Sequence, residues 1–169
     1  MQQQAKRLMN MFLATGLALV FILMLVGLLM RASQAEWLTI SPSWFYSLMT
    51  LHGAGMITAL VLCGMGGVWY LVNLTSPMNL KTGWWSYGLI LFGVVLVLAS
   101  TMVGNFAGAW TMLYPLPFFN PAWPFWSTGA FLFGIMFVTA GWTVWSFQIL
   151  DAVLRRYGGL RGALGIDLV

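Results

Sequence analysis

The chain has 169 residues, 61% of them hydrophobic and 6% charged, with a mean hydropathy of +0.90. A water-facing surface takes roughly a quarter of a domain's residues as charged ones, so this composition excludes an ordinary soluble domain and points to lipid. A formal charge of +4 resting on 7 Lys and Arg against 3 Asp and Glu is too sparse for a nucleic-acid surface, and no nucleic-acid partner is expected.

About 20 apolar residues at 1.5 Å each cross a hydrocarbon core of about 30 Å. The first run that qualifies spans residues 12–30. It is too long for the apolar part of a signal peptide, and no A-x-A-like cleavage site follows it. Arg31 closes it. The second run, 45–72, holds the single histidine, His52, and the single cysteine, Cys63. A lone cysteine forms no disulfide within its chain, and in an apolar run it reads as a packing residue.

The third run is 85–103 and the fourth 125–150. Between them, 104–124 carries no charge but four prolines and Trp110, Tyr114, Phe118, Phe119 and Trp123, which reads as a stiff lid packed on something apolar or as an interfacial loop resting on headgroups. After the fourth run a Gly-rich stretch, 157–169, reads as a short tail and a natural chain end. Residues 1–169 thus form one transmembrane domain. The fold class is an all-α membrane protein of four spanning helices that belongs to a larger helical bundle.

With four crossings, Lys6, Arg7, Lys81, Arg155, Arg156 and Arg161 fall on one side. The positive-inside rule makes that side cytoplasmic, with both termini on it, and puts 32–44 and 104–124 outside. Gly53, Gly55, Gly64, Gly66 and Gly67 in the second run, and Gly88 and Gly93 in the third, permit close helix approach or leave room for a flat cofactor.

An ionisable side chain inside a membrane is costly and needs a partner. His52 stands about seven residues, about 10 Å, below the outer start of its helix near Phe45. Two readings satisfy it: a hydrogen bond to a neighbouring helix, or axial ligation of a haem iron. Gly53 and Gly55 free space beside the ring for a porphyrin edge, and Ser47 and Thr50 offer small hydroxyls. Arg31, expected at about the depth of His52, would pair with a haem propionate or snorkel to the headgroups. The three carboxylates, Glu36, Asp151 and Asp167, lie outside the spans or at their ends, so neither acid–base nor nucleophilic machinery is visible.

Three segments in order carry a family likeness. They are 28–32 ending the first run, 46–56 with its Thr-x-His-Gly-x-x-Met element at Thr50, His52, Gly53 and Met56, and 98–103 followed by 107–116. Together they resemble the N-terminal four helices of subunit I of haem–copper terminal oxidases, over most of residues 15–156. The resemblance implies that His52 is an axial ligand of a low-spin haem (type a or b) and that Arg31 borders the same haem. Trp110, Thr111, Tyr114 and Pro115 correspond to an outer loop over its propionates, and Gly53 and Met56 flank the ligand.

The chain departs from the pattern in places. One extra residue separates Trp110 from Tyr114, and Leu116 replaces a second proline. The inner loop 74–80 has no acid where the family's proton-channel Asp stands, as in the branch lacking that channel. With one histidine, the chain cannot hold the second low-spin ligand, the high-spin haem or the copper.

The resemblance therefore implies a split subunit I in a prokaryotic cytoplasmic membrane. A second chain would carry the remaining helices, the high-spin haem and the copper. A subunit II-like subunit would deliver electrons from a cytochrome c, a cupredoxin or a quinol, and oxygen would be reduced to water on the partner chain. Two alternatives stand beside it: a cofactor-free accessory or assembly subunit, and part of a nitric oxide reductase of the same superfamily.

Overall fold

The computed structural model describes residues 2–108 and 121–165, and every regular element among them is helical. Helix α1 spans Gln2–Gln34, α2 Pro42–Thr75, α3 Leu80–Leu98 and α4 Phe125–Arg156; α5, Leu160–Ala163, is a single turn. A π-helical turn, Ala99–Val103, continues α3. α1, α2, α3 with its π-helical continuation, and α4 are each long and apolar enough to cross a membrane.

α1 and α2 overrun their apolar runs at both ends, α3 at its start and α4 at its end. An apolar run marks the slab of hydrocarbon, whereas helix ends follow capping and propensity. Upstream of Phe12 the chain reads Gln, Lys, Arg, Leu and Met, all good helix formers, and α1 begins ten residues earlier than the run. Pro42 occupies the first turn of α2, where its fixed φ suits a helix and its missing N–H goes unused. Asn79 caps α3, its side chain accepting from the amides of Lys81 and Thr82. α2 stops just ahead of Pro77, which disfavours helix in the residue before it.

α1 packs chiefly on α2 and α3 on α4, and α2, α4 and the π-helical turn join the two pairs. Glycines set the distances where backbones come close. A Cβ on Gly16 would stand 2.5 Å from Cys63 Sγ, and one on Gly93 2.5 Å from the Gly134 carbonyl oxygen. Around Gly64, Gly67 and Gly88 a Cβ would meet nothing within 4 Å, so those three serve no packing among the described residues.

Lipid offers no water to buried polar groups, and among the described residues the chain satisfies all of its buried side-chain N and O atoms internally except Asn105 Oδ1. Ser47 donates to the Thr101 carbonyl at 2.6 Å, Ser86 to Gly141 at 2.7 Å and Ser100 to Ser127 at 2.7 Å. At the opposite end Trp69 Nε1 donates to Gln148 Oε1 at 3.0 Å, while Gln148 Nε2 donates to the Asn79 carbonyl. Ser76 reaches Ala152 and Arg156 reaches the Thr75 carbonyl, so the α2–α3 connection is tied to the last turns of α4. The surface pair Asp151–Arg155, at 2.9 Å, has the expected i,i+4 spacing.

Candidate functional site

His52 lies ten residues into α2, about 15 Å along its axis. α2 starts at Pro42, three residues ahead of the apolar run, and His52 stays seven residues, about 10 Å, past Phe45. The half-buried ring lies in the α1–α2 contact, where Nδ1 bonds the Leu23 carbonyl at 2.8 Å. A carbonyl only accepts, so Nδ1 carries the proton, and in the neutral ring Nε2 keeps the lone pair. Nε2 has no hydrogen-bond partner among the described residues.

The ring rests on Gly27, one turn beyond Leu23 on α1. A Cβ there would stand 2.8 Å from His52 Cε1. Neither Leu23 nor Gly27 was singled out from the sequence. A backbone acceptor has no residue signature, but Leu23, Gly27 and Arg31 at i, i+4 and i+8 do trace one stripe of α1.

Three expectations change. Gly55 does not open space beside the imidazole: a Cβ there would stand 2.7 Å from Leu23 Cδ1, so it accommodates that buried leucine. The Ser47 and Thr50 hydroxyls donate their protons to backbone, Ser47 to Thr101 and Thr50 to the Tyr46 carbonyl at 2.8 Å. Arg31 is not level with His52. It lies one turn, about 6 Å, past Gly27 toward the end of α1, is exposed, and donates from Nη1 to Gln34 Oε1 at 2.9 Å.

Gly53 and Met56 are half-buried, and Met56 also packs against the core formed by Leu23, Leu51, Val97, Phe106 and Phe131. Trp110, Thr111, Tyr114 and Pro115 lie outside the described residues. The two ends of their loop do pack on apolar groups. Phe106 stacks on Phe131 with centroids 4.7 Å apart and meets Trp123 edge-on at 5.4 Å, and the Trp123 indole N–H donates to Thr128. Asn105 enters this loop at φ 48°, a left-handed conformation that asparagine tolerates.

No group of three or more His, Cys, Asp or Glu comes together among the described residues, so a metal held by protein alone has no site there. Haem asks for less, because the porphyrin supplies four ligands and the protein one imidazole per axial face. An imidazole that donates Nδ1–H to a carbonyl has its tautomer and orientation fixed and its Nε2 lone pair left for a metal, the usual support of a metal-ligating histidine. His52 fits that requirement.

Fold and site together define a multi-pass helical membrane protein with one oriented intramembrane imidazole. The chain matches the family model described as Cytochrome C and Quinol oxidase polypeptide I over residues 7–162, which takes in all four spanning helices, and it belongs to that family, subunit I of the haem–copper oxidases. Its members bind haem and act within oxidoreductase complexes. No curated protein and no solved structure matches the chain.

Proposed function

We propose that this chain is the first part of a split subunit I of a respiratory terminal oxidase, and that it holds one side of the low-spin haem. The observation that carries the reading is the Nδ1–Leu23 hydrogen bond, which leaves Nε2 of the chain's single histidine to ligate iron. Haem, when bound, supplies reversible one-electron iron chemistry.

The protein's own contribution is orientation and tuning. The Leu23 carbonyl holds the ring and strengthens it as a donor. Gly53 leaves space next to the ligand, and Met56 closes the apolar wall one turn on. Arg31, at the end of α1, supplies a cation on an arm long enough to meet a propionate. Trp110, Thr111, Tyr114 and Pro115, outside the described residues, match the family's loop over the haem propionates.

The remaining reaction needs groups this chain lacks. The second axial ligand, the high-spin haem and the copper stand on a second polypeptide carrying the later helices. Electrons arrive through a subunit II-like partner from a cytochrome c, a cupredoxin or a quinol. The six cations near the helix ends support a topology with both termini on the cytoplasmic side, and on this reading the complex sits in a prokaryotic cytoplasmic membrane. Replacing His52 by Ala is expected to abolish the low-spin haem signal of the purified complex and spare the partner's high-spin haem.

A further inference from the structure

We infer that Gly27 is a positioning residue for His52, and that its bare α-carbon sets the electron-donating strength of the ring. The inference rests on the reading of His52 as an iron ligand. The Cε1 corner of the imidazole is what faces Gly27. A Cβ at that position would stand 2.8 Å from Cε1, 3.4 Å from Nδ1 and 3.5 Å from Nε2. A methyl group so close must push the corner away, and because the ring is rigid both nitrogens move with it. The same displacement stretches the 2.8 Å bond to the Leu23 carbonyl and swings the Nε2 lone pair.

Tight glycines in a helix pair usually serve packing alone. The α1–α2 contact supplies its own comparison. Gly16 lies on the same helix and has an even shorter clearance, 2.5 Å to Cys63 Sγ, but its neighbour is a thiol away from His52. A packing role treats the two glycines alike, whereas a positioning role separates them.

Losing the carbonyl acceptor makes an imidazole a weaker donor, which favours ferrous over ferric iron. In the purified complex Gly27→Ala is therefore expected to retain low-spin haem, raise its midpoint potential and change its EPR spectrum, while Gly16→Ala changes neither. An unaltered potential and spectrum in Gly27→Ala, or equal changes in Gly16→Ala, would overturn the inference. If Gly27→Ala does not assemble, replacing His52 by Nδ-methylhistidine removes the same proton without altering α1. A rise in potential is again expected, and no rise overturns the inference. Retention of the low-spin haem in His52→Ala would instead defeat the ligand reading itself.

Discussion

Ser47 stands about a turn and a half before His52 on α2, fully buried, and gives its hydroxyl proton to the carbonyl of Thr101 in the π-helical turn. The bond ties the helix that carries the histidine to the segment that leads into the outer loop. Removing the hydroxyl leaves that buried carbonyl without the donor, at a cost of about 1 kcal/mol for a helix–helix bond in a membrane. Ser47→Ala is expected to lower the thermal unfolding midpoint of the complex in detergent with little change in its haem content. At this scale the sequence was legible wherever a residue type is rare for its surroundings. One imidazole and one cation close to an apolar core stood out at once. Their partners did not: Leu23 acts through a carbonyl that every residue has, Gly27 through atoms it lacks, and Arg31 through Gln34 rather than any acid.

Among the elements, α3 and α4 approach closely where Gly93 and Gly134 face each other. A Cβ on either would stand within 2.5–2.9 Å of the other's carbonyl oxygen. Gly93→Leu is expected to destabilise this pair by about 1–3 kcal/mol, the usual range for overpacking, read as a lower midpoint in the same thermal unfolding. The glycines of the second and third runs were legible as small residues, but not which of them touch. Gly93 does, while Gly64, Gly67 and Gly88 leave open faces. The π-helical turn was illegible for another reason. It adds a residue to one helical turn inside an unbroken apolar stretch, so hydropathy does not register it. Its Ser100 and Thr101 carry the only cue, as buried hydroxyls that bond backbone rather than ligand.

Over the whole molecule, the number of spans was the most legible feature, since lipid thickness fixes how much apolar chain each one needs. The ends were not, because Gln2–Met11 and the last turns of α4 are helical without being apolar enough to announce it. The knot of Trp69, Gln148, Asn79, Ser76 and Arg156 at one end of the helices gathers the same side of the molecule that holds Lys81 and the α1 start. An even number of crossings brings the start of α1 and the end of α4 to that side. On a Cys63→Ser background, Gln3→Cys is expected to react with a membrane-impermeant thiol reagent only from the cytoplasmic side, and the highly exposed Trp37→Cys only from the other. Labelling of both from one side would break this topology, and the reversed pattern would invert it.

Whether the lone imidazole binds iron is read most directly from the reduced-minus-oxidised spectrum of the complex purified through this chain, with His52 intact and replaced by Ala. Loss of the low-spin band alone, with the high-spin centre still reacting with carbon monoxide, is the predicted result. A low-spin band of unchanged height in the His52→Ala complex would contradict it.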